Sequence, residues 1–95
     1  MLKKTPQLES ALVPTGTGPV ENVDIINSYI NKNTCEYMNV DISFMNAIDA
    51  SYVSTLCSTN HYIKYPQGKI TWKVASSLVE EFSKDLSLGN CKYII

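Results

Sequence analysis

At 95 residues the chain can bury one modest core and is too short for two domains. Eight lysines against nine acids leave a formal net charge of −1 with no arginine, which argues against a nucleic-acid backbone, an anionic lipid surface or an arginine-clamped phosphate as partner. With 44% apolar and 18% charged residues, the composition is that of a chain that folds.

Residues 1–7 (MLKKTPQ) are expected to form a flexible arm, followed by a short strand over Leu8–Val13 that ends at Pro14. Pro14-Thr-Gly-Thr-Gly-Pro19 is a cluster of turn residues. Pro19 at a first helical position, with Glu21 and Asp24 in the opening turns, predicts a helix over Pro19–Lys32 whose buried stripe is Val23, Ile26 and Ile30. Tyr37–Ser43 alternates, with Met38, Val40 and Ile42 on one side and Asn39, Asp41 and Ser43 on the other, as a half-buried strand does.

Helical spacing returns at Ala50–Ile63, with Ala50, Val53, Leu56 and Cys57 read as the buried face and Ser51, Thr55, Ser58 and Tyr62 as the wet one. After the Tyr65–Gly68 turn, Lys69–Val74 alternates again, placing Ile70, Trp72 and Val74 opposite Lys69, Thr71 and Lys73. Ser77-x-x-Glu80 has the form of a capping box ahead of Leu78, Val79, Phe82 and Leu86, and Gly89 stands where a left-handed helix end is expected. Cys91–Ile95 reads as a last strand.

Strands alternating with helices imply βαβ units. The expected fold is a single α/β domain over residues 1–95, with a small, mostly parallel four-stranded sheet and helices mainly on one face. Right-handed crossovers between neighbouring strands put their helices on the same side, and the polar half of each alternating strand then meets solvent or a partner. No stretch approaches the ~20 apolar residues of a spanning helix, and MLKKTPQLES is not followed by an apolar signal core, so neither membrane insertion nor secretion is expected. Cys35, Cys57 and Cys91 are odd in number and irregular in spacing, which fits reduced thiols in the cytoplasm.

The run Val40-Asp-Ile-Ser-Phe-Met-Asn-Ala-Ile-Asp-Ala-Ser-Tyr-Val-Ser-Thr-Leu56 resembles the core of the STAS family, the fold of anti-sigma-factor antagonists and of the cytoplasmic domains of sulfate transporters. Val40-Asp41-Ile42-Ser43 corresponds to the family's strand, and Ile48-Asp49-Ala50-Ser51 to its loop-to-helix step. The resemblance implies a non-enzymatic signalling domain that binds a protein partner, such as a kinase or an anti-sigma-type regulator, through Asp49, Ala50, Ser51, Tyr52 and Thr55. The position at which regulated members carry the phosphorylated Ser or Thr is Ala50 here, which leaves Ser51 as the candidate phosphorylation site, and the glycine common two residues later is Tyr52. The family's first hairpin is shortened to at most one weak strand, and its final helix has no counterpart before Ile95.

Other chemistry has an ordinary structural reading beside it. Cys57 and His61, four apart on a helix, have the spacing of two metal ligands, but two further ligands are needed and a buried cysteine with a partly exposed histidine is the better reading, so no metal or other cofactor is expected. Thr15-Gly-Thr-Gly-Pro19 precedes a helix as phosphate-binding loops do, without the lysine or the glycine spacing of such loops. Asp41 and Asp49 are two carboxylates, of which Asp49 is expected to serve as an N-cap. No catalytic residue is assigned. The alternative functions are a structural homodimer formed through the wet sheet face or the sheet edge, and a small metal protein using Cys57 and His61.

Overall fold

A computed structural model describes residues 11–95. Pro19 opens α1 (Pro19–Lys32) from an extended Gly18, and the stripe of Val23, Ile26 and Ile30 is buried as its spacing predicts. Next come β1 (Tyr37–Asp41), α2 (Ala47–Lys64), β2 (Lys69–Lys73), α3 (Leu78–Ser83) with a 3₁₀ turn at Lys84–Leu86, and β3 (Cys91–Ile94).

The three strands pair in parallel in the order β1-β2-β3, with Tyr37 opposite Lys69 and Ile70 opposite Cys91. The expected fourth strand is reduced, among the described residues, to a single parallel bridge between Leu12 and Val40. Leu12 gives its N–H to Asn39 and takes that of Asp41, and Pro14, two residues further on, cannot donate to a ladder. The part of the predicted Leu8–Val13 strand before Ala11, and the predicted arm at residues 1–7, lie outside the described residues.

Both β1 and β2 bury alternate residues only, so one sheet face is covered by helices and the other is open. α2 is the central helix, packed between α1 and α3 over β2. Met38, Val40, Ile70 and Trp72 from the sheet meet Ile26, Ile30, Val53 and Cys57 from the helices in one core. The open face carries Asn39, Asp41, Lys69, Thr71 and Lys73, which the alternation set aside, together with Tyr37, Lys92 and Ile94, while Ser43 lies beyond the end of β1.

The sequence-based boundaries change at several places, each for a local reason. β1 ends at Asp41 rather than Ser43 because the Asp41 carboxylate accepts both the backbone N–H (2.9 Å) and the hydroxyl (2.7 Å) of Ser43, turning the chain. α2 begins at Ala47 rather than Ala50 because Asn46, not Asp49, is its N-cap. The Ser77 side chain makes no cap bond; Ser76 Oγ accepts the Leu78 N–H instead, at 3.0 Å. Gly89 does adopt a left-handed φ of +84°, but in the turn before β3, three residues after the 3₁₀ segment has ended.

α2 also buries a different set of residues from the one expected. Ala50, Val53 and Cys57 face the core together with Ser54, Ser58 and His61, whereas Leu56 is exposed. At 100° per residue Leu56 points about 130° away from the centre of that face, and Ser58 falls within it. Several buried polar groups are paired: Trp72 Nε1 donates to Ser58 Oγ (2.8 Å), Asn90 Nδ2 donates to the Ser58 carbonyl (3.0 Å), and Ser54 Oγ shares a hydrogen bond with the Tyr93 hydroxyl (2.8 Å). Burial pushes the Tyr93 hydroxyl above its ordinary pKa.

Candidate functional site

The loop from β1 into α2 lies at the carboxyl edge of the parallel sheet, where α/β folds commonly place their sites. Asn46 fixes its geometry by accepting the Asp49 N–H (2.8 Å) and donating its amide to the Asp49 carboxylate (3.2 Å), a reciprocal cap. Asp49 is therefore the third helical residue, held close to the positive end of the α2 dipole.

That frame decides what each predicted contact residue presents. Asp49, Ser51 and Thr55 are half-buried and Tyr52 is exposed, so these four share an accessible face. Ala50 has no exposed surface and packs in the core, and any contact in this region falls to its neighbours. Ser51 stands one turn further into the helix than its predicted place. Its hydroxyl donates to the Ile48 carbonyl (2.9 Å), and its own N–H lies beyond the free donors of the first turn. The dipole argument for a phosphate there is correspondingly weaker.

The structure adds a second wall that the sequence showed only as apolar residues following the Ser77-x-x-Glu80 pattern. Leu78, Phe82 and Leu86 are 51%, 49% and 62% exposed, and in the α3 segment only Val79 and Ser83 are buried. They stand across from Ile48, Tyr52 and Leu56 on α2, with the smaller Ala47, Ser51 and Thr55 lower in the groove. The two adjoining parts of the groove have volumes of about 330 and 470 Å³. A contiguous apolar surface of this kind is characteristic of an interaction site, whereas single exposed apolar side chains are ordinary.

The other candidates resolve into packing. Cys57 is fully buried with its thiol toward the Val23 carbonyl (3.7 Å), and burial, with a smaller contribution from the Asp24 charge, pushes its pKa up to about 12. His61 is fully buried rather than partly exposed; its Nε2 lies 2.8 Å from the Cys35 carbonyl and, facing a pure acceptor, carries the proton. Nearby, Lys64 donates to the carbonyls of Ile30 and Asn31, and the Tyr65 hydroxyl donates to that of Asn33. The end of α2 thus caps the end of α1. Cys57 and His61 serve different backbone carbonyls, and among the described residues no three His, Cys, Asp or Glu side chains gather as a metal site.

The Thr15–Pro19 loop borders a cavity of about 250 Å³ together with Asn22, Phe44 and Asp49. The donors of Gly16 and Thr17 are already taken. Gly16 N–H bonds to Asn22 Oδ1 (2.6 Å), and Thr17 N–H and hydroxyl bond to the Glu21 carboxylate, whose pKa they lower. Glu21 occupies the role that a bound anion would have. Asp41 and Asp49 likewise each close a local turn of their own.

Comparison with family models, with curated proteins and with solved structures finds no match to this chain.

Proposed function

We propose that this is a non-enzymatic, STAS-like protein-binding domain whose partner, an anti-sigma-type regulator or kinase, docks on the exposed face of α2 from Asp49 through Thr55. The observation that carries the reading is the apolar surface formed where Ile48, Tyr52 and Leu56 face Leu78, Phe82 and Leu86. Large apolar side chains left in water by a chain that buries its other stripes are a cost to the isolated domain, and a partner's surface removes it. Tyr52 at the centre supplies rigid, amphipathic contact area, and Asp49 and Ser51 supply polar groups around it. The resemblance around Ile48–Ser51 assigns the same helix start to partner contact. With Ala50 in the acceptor position, the interaction proceeds without phosphorylation there, and Ser51 is the remaining candidate for control.

The test is site-directed photo-crosslinking in the native cell, with the probe at Leu56 on this face or at Thr71 on the open sheet face. A protein adduct specific to the Leu56 probe is expected, and Ser51→Glu or Tyr52→Ala should lower its yield by about tenfold, the equivalent of about 1.4 kcal/mol of binding. Equal adducts from both probe positions, or indifference to both substitutions, would remove the proposed face.

A further inference from the structure

We infer that the element this face receives is an amphipathic helix of about three turns, with Lys or Arg beside its apolar stripe. The inference rests on the reading of the α2–α3 face as a protein-binding surface and specifies what binds there.

The shape argues for a helix. Ile48, Tyr52 and Leu56 follow one another at intervals of four residues on α2, and Leu78, Phe82 and Leu86 do the same along α3 and its 3₁₀ turn. Each series runs along one side of its helix, and smaller residues lie between the two. The eight steps from Ile48 to Leu56 on α2 span about 12 Å at 1.5 Å per residue, which matches anchors at i, i+3 or i+4, and i+7 of an inserted helix.

Backbone chemistry excludes an extended strand in this groove. Beyond its first turn, the N–H and C=O groups of α2 are engaged within the helix, so this wall offers no continuous ladder to pair with. A strand would bring its own polar backbone against apolar side chains unsatisfied, whereas a helix arrives with those groups already bonded.

Charge then selects among helices. Asp49 lines one part of the groove, Glu81 and Asp85 directly precede Phe82 and Leu86 and are exposed, and Lys84 is bound to Glu81 at 3.4 Å. Glu81 and Lys84 offset each other, and Asp49 and Asp85 leave the border net acidic, which cationic side chains complement. A second copy of this chain meeting face to face about a two-fold axis would set one acidic border against another, and an anionic membrane would be repelled in the same way.

The experiment uses fluorescein-labelled synthetic helices of about 14 residues, with leucine at i, i+4, i+7 and i+11 on an alanine–lysine background, and a twin in which glutamate replaces each lysine. By anisotropy the lysine helix is expected to bind the full chain at least about tenfold more tightly than the glutamate twin, and progressively more weakly as salt rises. Phe82→Ser should weaken it about tenfold with the circular dichroism of the domain unchanged. Glu81→Lys with Asp85→Lys should reverse the preference between the twins, which general stickiness would not do. Equal affinity for the twins, no binding of either, dimerisation abolished by Phe82→Ser, or adsorption to phosphatidylserine vesicles would each overturn the inference. If neither peptide binds while Phe82→Ser still removes the Leu56 crosslink, the kind of partner is wrong and the docking face stands; if the crosslink also persists, both fall.

Discussion

Replacing Trp72 with alanine is expected to cost about 3–5 kcal/mol of folding stability, the largest effect of any single substitution considered. Trp72 lies on the central strand, has no exposed surface, and stands in register with Val40 on one side and Tyr93 on the other. The substitution opens a cavity in the only core that a chain of this size has, and it orphans the Ser58 hydroxyl, which now accepts the indole N–H at 2.8 Å. Against the roughly 5–15 kcal/mol of a typical domain, such a loss leaves a substantial unfolded population. Trp72→Phe keeps most of the apolar bulk and should cost about 1–3 kcal/mol, and combining it with Ser58→Ala should cost less than the sum of the two single changes. Urea denaturation followed by far-ultraviolet circular dichroism measures the parent and all four variants alike, since three of the variants lack the sole tryptophan as a fluorescent probe. Additive costs would show that the Trp72–Ser58 bond contributes nothing beyond packing.

The second large effect is expected at Gly68, where alanine should destabilise the fold by about 1–3 kcal/mol. Gly68 is buried in the turn before β2, and a Cβ there would run into the carbonyl oxygen of Glu36. That oxygen is not free to retreat. It accepts the Lys69 N–H at 2.9 Å, the bond that brings β2 alongside β1. The collision is with backbone rather than with the movable end of a side chain, so relief requires the entrance to the ladder to shift. The midpoint of urea denaturation should fall with little change in slope. An unchanged midpoint would mean that the strands separate there at no cost.

Much of the architecture was legible because it depends on local patterns. The limits of α1 follow from Pro19 at its first position and from Val23, Ile26 and Ile30 at helical spacing, and β1 and β2 follow from alternation that only a half-buried strand requires. The start of α2 was harder to read. Asn46 and Asp49 are both good cap residues three apart, and their reciprocal bonding is visible only once the backbone places them together. Ser58 and His61 looked like surface because they are polar, yet they and Ser54 each have a tertiary partner: Trp72, the Cys35 carbonyl and Tyr93. Their spacing of four and three residues in phase with Ala50 and Cys57 was the available sign.

The candidate site was half legible for a related reason. The contact residues around Asp49 and Tyr52 were visible as a helix start, but Leu78, Val79, Phe82 and Leu86 were visible only as the apolar residues of one helix, with nothing to separate the buried from the exposed. Periodicity shows that a helix has an apolar face. It does not show that the same chain covers that face, and here α3 buries Val79 and Ser83 while the stripe beside them faces solvent.

The central claim is that this stripe is kept for a partner rather than for the fold, and the stability of the triple variant Ile48→Ser, Phe82→Ser, Leu86→Ser tests it most directly. A surface used only for docking predicts denaturation within about 1 kcal/mol of the parent chain, together with loss of the Leu56 crosslink. A loss of more than about 3 kcal/mol, or a crosslink that survives the three changes, would contradict it.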